Sequence, residues 1–448
     1  MRIIETIDFL LLPFFLLSIF FVAHCIRILK YKQSPLGEYF MRGISFRIIG
    51  AILTALMYQY YYGYGDTMFY YVGARDIANA FYRSPVLCLE MLFSDYADWS
   101  RAIRSELTLH VPFLDESSAL VSKIAGGIGI FTFGSYFGMS LGITTIAFLG
   151  CWRLYKVFYD LYPHLHRPLA WAILYIPSVC FWGTGLMKDP LTLAGLGFFV
   201  HGVYWIFIRR KRILISVFWL YLGTYLIVSI KVYIFLSIAP ACLIWVLLTY
   251  HARIKSRTIY FAAVPVFLII GTIGVAVVLQ QIGETFQRYA LQNILDQAYK
   301  TQHWIAYSTQ RDLGTGYTLG EFDASLGGLL KTFPLAVNAT LFRPYIWEAR
   351  KLIILPSAFE AIVTLSLTFY VFFKVGASHF MKYLLHPSIL FCMTFALLFA
   401  FAVGFTAMNF GALARYKIPC LPFYFAGLVL IFYAKFPISQ RLLQYRIR

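Results

Sequence analysis

The sequence predicts an all-α polytopic membrane protein, and three observations support this fold class. The chain of 448 residues is 60% hydrophobic and 13% charged, with a mean hydropathy of +0.72. It therefore contains more apolar residues than a soluble protein of this length can bury. The apolar residues form runs of roughly 20 residues, the length that a helix needs to cross a bilayer. Basic residues cluster between these runs, so the net charge of +18 indicates membrane topology and not nucleic-acid binding.

Eleven apolar runs are candidate transmembrane helices, and we treat residues 1–448 as a single membrane domain. The first run has acids at its start (Glu5 and Asp8) and no small-residue cleavage site after it, which is typical of a retained helix and not of a signal peptide. The eleven candidate spans cover residues 7–27, 47–64, 134–152, 169–187, 191–208, 213–230, 232–250, 258–280, 352–373, 387–407 and 418–434.

The charges of the connecting loops alternate along the chain. One set of loops carries 21 basic residues, including Arg47 at the edge of the second run, and two acids, Glu38 and Asp160. The other set carries 17 basic residues and 17 acids. The positive-inside rule places the first set in the cytoplasm. We therefore predict a multi-pass protein of a bacterial inner (plasma) membrane, with its N-terminus outside and its C-terminus in the cytoplasm.

Two long segments, 65–133 and 281–351, form the predicted extracytoplasmic loops. The first begins with Asp66, continues through an amphipathic helix from Met68 to Phe81, and ends in the apolar, glycine-rich run from Ala119 to Phe133. The second also opens with a helical pattern of apolar residues. Because the cytoplasmic loops are short and basic, we expect the functional site on the outer face.

The cysteines predict neither a disulfide framework nor a metal site. Six of the seven lie in or at the ends of apolar runs, and only Cys88 lies in a polar loop. No CxxC motif or Cys/His spacing typical of a metal site is present.

Acidic side chains among aromatic residues make the stretch from Gln59 to Tyr82 the first candidate site. Asp66 follows the aromatic end of the second span, where it can act as a general base on an acceptor hydroxyl. It can equally cap the helix that follows. Arg75 and Asp76 are candidate substrate ligands, with a surface ion pair between them as the alternative.

Basic residues at the outer ends of spans are candidate phosphate ligands. Lys188 lies in the motif Lys188-Asp189-Pro190, where Asp189 with the following proline also fits a helix start and is a candidate substrate ligand. Lys231 stands at the next hairpin, where a snorkelling anchor is the alternative. Arg415 and Lys417 are either interfacial anchors or, together with Lys188 and with Arg343 or Arg350, parts of a basic ring around a lipid-linked phosphate.

Further polar residues leave alternatives open. Glu321 and Asp323 form an acidic pair for an acceptor sugar or a divalent cation, or a solvated turn; the sequence identifies no other cofactor and no protein metal site. Glu360 lies inside a span and should be paired or face a cavity. Asn338-Ala339-Thr340 is a glycosylation sequon of low specificity.

Three motifs carry a resemblance to a known family. GDTMFYYVGARDIANAFY, PSVCFWGTGLMKDPLTL and ARYKIPCLPFY resemble segments of the GT-C superfamily of integral-membrane glycosyltransferases. The chain differs from the usual layout in having two predicted spans before the first outer loop and no clear Asp-x-Asp there. The resemblance implies sugar transfer at the extracytoplasmic face from a polyprenyl-phosphate-linked donor to a glycan or glycolipid acceptor, in cell-envelope polysaccharide biosynthesis. It also implies that Asp66 is the catalytic acid and that Lys188 and Arg415 hold the carrier phosphate.

Two other functions remain open at this point. An O-antigen-type polymerase or ligase would use basic residues of the second outer loop. A transporter or flippase of a lipid-linked substrate would need charges deep within the membrane, whereas the sequence places nearly all charges at the outer boundary. The expected partners are the lipid-linked donor, the acceptor and membrane lipids, with no nucleic acid. The candidate residues for the polymerase or ligase are Arg288, His303, Arg311 and Arg343.

Overall fold

The computed structural model describes residues 3–94, 116–251, 316, 317, 319 and 326–437. Within these residues the structure is helical, apart from turns and one isolated bridge between Gly316 and Asn409, so the predicted all-α class is confirmed for this part of the chain. Short π-helical turns at Met57–Tyr62 and Tyr204–Ile208 follow the helices Leu36–Leu56 and Lys188–Val203. The α-helices are α1 (Thr6–Tyr31), α2 (Leu36–Leu56), α3 (Asp66–Arg83), α4 (Pro85–Phe93), α5 (Glu116–Phe131), α6 (Tyr136–Leu161), α7 (His166–Leu174), α8 (Pro177–Trp182), α9 (Lys188–Val203), α10 (Ile213–His251), α11 (Leu326–Phe342), α12 (Leu355–Val375), α13 (Ala377–Leu384), α14 (Pro387–Ala407), α15 (Phe410–Tyr416) and α16 (Leu421–Lys435).

Seven helical segments of the described chain are long and apolar enough to cross a membrane. An eighth candidate is the pair α15 and α16, which is bent by 64°. The structure therefore supports a multi-pass membrane protein. The full set of eleven spans stays a prediction, in part because the predicted span 258–280 lies outside the described residues. The seven segments are Thr6–Tyr31, Leu36–Tyr62, Tyr136–Leu161, Lys188–Ile208, Ile213–Tyr250, Leu352–Val375 and Pro387–Ala407.

The described residues fall into two compact units, each of which takes several segments of the chain. The assignment of residues 1–448 to one membrane domain stays a prediction. Unit 1 is drawn from Met1–Phe158, Leu174–Gly202 and Leu214–Val232, and unit 2 from Tyr159–Ile173, Val203–Ile213 and Tyr233–Arg448.

In unit 1, α2 begins at Leu36 and not at residue 47, which corrects the placement of Arg47. This arginine lies inside the helix and is 1% exposed. Its guanidinium donates to the carbonyl of Gly183 at 2.9 Å and to the Sγ of Cys151 at 3.1 Å. Hydropathy places a basic residue at the end of an apolar run, but these two neutral acceptors stabilise Arg47 within the helix.

The predicted span 169–187 is not a continuous helix. α7 ends at Leu174, α8 occupies Pro177–Trp182, and the chain is non-helical and buried up to the start of α9. Pro177 lacks an amide donor and forces the residue before it into an extended conformation, because the proline ring excludes the helical one. The break after α8 contains Gly185, whose φ of +82° is accessible mainly to glycine.

Side chains of α2 and α6 satisfy the backbone groups exposed by this interruption. Thr54 donates to the carbonyl of Phe181 at 3.1 Å, and Thr144 accepts from the amide of Gly185 at 3.0 Å. Irregular backbone at membrane depth is stable only where protein groups satisfy it. Together with Arg47, these contacts fix the segment that leads into Lys188.

A second interruption lies within α10. Lys231 has φ −146° and ψ 82°, which is non-helical. The sequence predicts a turn between two spans at this residue, and the backbone departs from the helix there. The residues up to Val232 belong to unit 1, and those from Tyr233 onward belong to unit 2.

The predicted first outer loop contains α3, α4 and α5. α3 covers the amphipathic stretch predicted from Met68 to Phe81, and α5 covers most of the run from Ala119 to Phe133. α3 packs against both α4 and α5, and the hydroxyl of Ser122 in α5 donates to the carbonyl of Tyr70 at 3.1 Å. This packing fixes the orientation of α3 within unit 1.

In unit 2, α14 packs against α11 and α16. The buried hydroxyl of Thr340 donates across this interface to the carbonyl of Ala400 at 2.6 Å. Asn338, two residues earlier, donates from its side-chain amide to the hydroxyl of Tyr345 at 3.0 Å. The predicted sequon therefore lies in a helix, with its threonine buried and its asparagine half-buried.

Candidate functional site

Asp66 occupies the first turn of α3, directly after two glycines with positive φ. The π-helical turn ends at Gly63, which has φ +70°, and Gly65 has φ +144°. Gly65 is the N-cap residue, so the alternative prediction that Asp66 caps the helix is off by one residue. Asp66 is exposed, and a carboxylate in the first helical turn is stabilised by the helix dipole.

Three exposed tyrosines lie close to Gly63 and Gly65 in the sequence. Tyr60, Tyr61 and Tyr64 are 70%, 61% and 75% exposed. Such side chains favour the boundary between membrane and water, since the ring is apolar and the hydroxyl is polar. Asp66 is therefore an accessible acid at the end of a candidate membrane span.

Lys188 lies close to α3, the helix that carries Asp66. It is the first residue of α9, is half-buried, and places its Nζ 6.0 Å from the ring centroid of Tyr70. Tyr70 follows Asp66 by four residues, about one turn along α3. Unit 1 thus places a predicted phosphate ligand beside the helix that begins with the predicted base.

Asp189 forms a buried ion pair with Lys231. The Nζ of Lys231 donates to the Oδ1 of Asp189, and the two side chains are 11% and 1% exposed respectively. Lys231 therefore does not extend to the membrane surface as a snorkelling anchor. The pair links the start of α9 to the interruption in α10, next to Lys188.

Arg75 pairs with Glu5 and not with its neighbour Asp76. The Nη1 of Arg75 lies 2.8 Å from the Oε1 of Glu5, whereas Asp76 is on the buried side of α3, 9% exposed. Tyr71 lies beside Arg75, and burial raises the pKa of Tyr71 to about 12 although Arg75 acts to lower it. Tyr71 is therefore protonated at neutral pH and donates to the carbonyl of Gly134 at 3.2 Å.

Asp8 is a buried acid whose role the sequence did not indicate. It is 1% exposed, and its Oδ1 accepts from the hydroxyl of Ser135 at 2.6 Å and from the amide of Tyr136 at 2.8 Å. It thereby satisfies a donor at the start of α6. An acid within an apolar run was the available signal, because a carboxylate there requires partners.

In unit 2, Arg343 is held by a carboxylate and by aromatic rings. Its Nε lies 3.1 Å from both carboxylate oxygens of Glu348, and its Nη2 also donates to that group. The guanidinium carbon is 5.1 Å from the ring centroid of Tyr317 and 5.4 Å from that of Phe410. The charge that was predicted to bind phosphate therefore has a fixed carboxylate partner.

The same cluster affects two ionisable groups. The pKa of Glu348 lies below its ordinary value: partial burial acts to raise it, but hydrogen bonds from Arg343 and the amide of Tyr345 more than offset this. Burial raises the pKa of Tyr317, against the opposing effect of Arg343. The hydroxyl of Tyr317 donates to the carbonyl of Gly404 at 2.9 Å.

Lys417 is also paired, with Glu360. The Nζ of Lys417 is 3.7 Å from the Oε1 of Glu360, and the side chains are 1% and 10% exposed. Glu360 is therefore paired, as expected for an acid inside a span. Arg415 is half-buried near the end of α15, with its guanidinium carbon 5.8 Å from the ring centroid of Tyr416.

The remaining predicted residues lie outside the part of the chain that the structure describes. Glu321 and Asp323, the acidic pair for a sugar or divalent cation, are among them, as are Arg288, His303 and Arg311. Within the described ranges, no group of three or more His, Cys, Asp or Glu side chains is placed to hold a metal ion.

The chain was compared with known proteins in three ways. Neither the protein-family models, nor the curated proteins, nor the solved structures gave a match.

Proposed function

We propose that the chain is a membrane glycosyltransferase of the GT-C type that transfers a sugar from a polyprenyl-phosphate carrier to a glycan or glycolipid acceptor. The observation that carries the proposal is the position of Lys188 beside the helix that begins with Asp66. Asp66 is exposed in the first turn of α3, and Lys188 lies near Tyr70, about one turn further along that helix.

The two side chains suit the two ends of a single displacement. Asp66 accepts the proton of the acceptor hydroxyl while that oxygen bonds to the anomeric carbon of the sugar. The bond between the anomeric carbon and the carrier phosphate breaks, and the phosphate leaves with the bonding electron pair. Lys188 stabilises the negative charge that develops on the departing phosphate. Arg415 is a further candidate for this role from the sequence motif.

Substitution of Asp66 by asparagine tests the proposal. Asp66→Asn removes the proton acceptor but keeps the side-chain shape, so we expect sugar transfer to fall at least about a hundredfold, the contribution typical of a general base. The full-length protein is assayed with a panel of polyprenyl-phosphate-linked hexoses and a lipid extract as acceptor. Lys188→Gln should weaken the binding of polyprenyl phosphate in the same preparation.

A matched control is available on the same predicted outer loop. Glu90 is exposed on α4, and Glu90→Gln makes the same chemical change away from Asp66. We expect this variant to keep its activity. Full turnover by Asp66→Asn, with unchanged thermal stability, would remove the basis for the transferase assignment.

A transporter or flippase of a lipid-linked anionic substrate is the second candidate. The buried Arg47, the Asp189–Lys231 pair and the interruption before α9 place charges and broken helices inside candidate spans, features that occur at transporter binding sites. The sequence alone had placed nearly all charges at the boundary. Movement of a labelled polyprenyl phosphate across vesicles containing the protein, without sugar transfer, would favour this candidate.

A further inference from the structure

Four consecutive basic residues, Arg209 to Arg212, connect two candidate spans. All four side chains are exposed, and Arg210 and Arg212 both have φ +54°. The amide of Arg209 donates to the carbonyl of Tyr204 at 2.9 Å, and that of Lys211 donates to Trp205 at 3.1 Å. These bonds fix the turn, so its side chains need little further ordering to bind a ligand.

Aromatic and acidic groups of unit 2 orient the arginines of this basic turn. Arg209 is neutralised by Asp160, with 2.6 Å between Nη2 and Oδ2. Arg210 lies over the ring of Tyr250, 4.9 Å from its centroid, and its Nε donates to the Tyr250 hydroxyl at 2.9 Å. Lys211 forms no ion pair with any residue that the structure describes. The turn thus carries more positive charge than the one acid, Asp160, that pairs with it.

Apolar side chains on both sides of the turn indicate its level in the membrane. Phe207 is 43% exposed immediately before the turn, and Ile213 is 51% exposed immediately after it. In a multi-pass protein, such exposed side chains at the ends of spans face lipid. The charged residues between them then lie at the level of the headgroups, together with the amphipathic rings of Trp205 and Tyr250.

We propose that the basic turn binds the phosphate headgroup of an anionic glycerophospholipid, with Arg210 and Lys211 as its principal ligands. Arg210 contributes an oriented guanidinium, whose planar N–H groups can donate to two phosphate oxygens at once. Lys211 contributes a compact ammonium. A lipid is favoured over a soluble phosphate because the apolar flanks of the turn would contact its acyl chains.

The test measures lipid binding by the purified full chain in a neutral detergent. Dioleoylphosphatidylglycerol is titrated while the thermal unfolding midpoint is followed, with dioleoylphosphatidylcholine and inorganic phosphate in parallel. We expect stabilisation by the anionic lipid alone. In the double variant R210Q/K211Q, the half-maximal concentration should rise roughly thirtyfold, from about 1 kcal/mol for each lost cation.

A matched variant separates a local site from a general charge effect. Lys374 and Lys382 are also exposed, and K374Q/K382Q removes the same charge from another segment without changing the expected half-maximal concentration. Lys211→Gln alone, at an exposed side chain, should raise it roughly fivefold if the double variant folds poorly. The proposal would be overturned if R210Q/K211Q and K374Q/K382Q changed the half-maximal lipid concentration equally, or if inorganic phosphate stabilised the protein as much as the anionic lipid.

Discussion

The buried pair of Asp189 and Lys231 allows a quantitative test of unit 1. The two side chains are 1% and 11% exposed, so removing either partner leaves a charge that water cannot solvate. Breaking a buried pair in this way costs about 3–5 kcal/mol of unfolding free energy. Replacing both by apolar residues of similar volume removes both charges, and such replacements are often neutral or stabilising.

The assay compares Asp189→Leu, Lys231→Met and the double variant by denaturant unfolding in mixed micelles. We expect each single variant to lose about 3–5 kcal/mol and the double variant to recover most of that loss. The pair of Glu5 and Arg75 is the control, because its side chains are 45% and 43% exposed and exposed pairs contribute about 1 kcal/mol or less. Single losses no larger than in this control, or a double loss equal to the sum, would refute the reasoning.

Two further predictions concern the surroundings of the candidate residues. Gly65→Ala should destabilise the protein by about 1–3 kcal/mol, because φ is +144° and the new Cβ would lie 2.7 Å from the Tyr58 ring. Gly127→Ala is the control, because a Cβ there would lie in open space on α5. Equal free energies of unfolding for the two variants would contradict this prediction. Since the pKa of Glu348 is lowered in the folded state, its stabilising contribution is complete above its unfolded pKa and is lost as the pH falls through the folded value. Glu348→Gln should therefore flatten the stability profile below about pH 4.5, and an unchanged acid profile would argue against the pair with Arg343.

The membrane character of the chain could be predicted because it depends on composition and on run length. The apolar runs at 7–27 and 387–407 closely match α1 and α14, and α1 continues as a helix through Pro13. The amphipathic stretch after Asp66 was also recognisable as a helix from its periodicity. The sequence predicts a hairpin between two spans at Lys231, and the structure has a single non-helical residue there within the helical segment Ile213–His251.

The positions of buried charges could not be predicted, because they depend on partners distant in sequence. Arg47 is stabilised by Gly183 and Cys151, which lie more than a hundred residues further along the chain. Hydropathy treats an arginine as the end of a span, whereas a guanidinium with buried acceptors can lie within one. The interruption after α8 was missed for the same reason. Thr54 and Thr144, which satisfy its backbone groups, are distant in sequence, and the segment itself is apolar enough to be interpreted as one helix.

Two of the predicted phosphate ligands, Lys417 and Arg343, already have carboxylate partners in the structure. A lysine that already contacts a buried carboxylate, as Lys417 contacts Glu360, must exchange that partner to bind a phosphate, and the exchange leaves a buried acid without its cation. Arg343 would likewise release Glu348. Lys188 is half-buried beside an aromatic ring at the start of α9, where the positive end of the helix dipole adds to the attraction for an anion. A phosphate that bound Lys417 or Arg343 would therefore have to compete with a carboxylate that is already in contact with that cation.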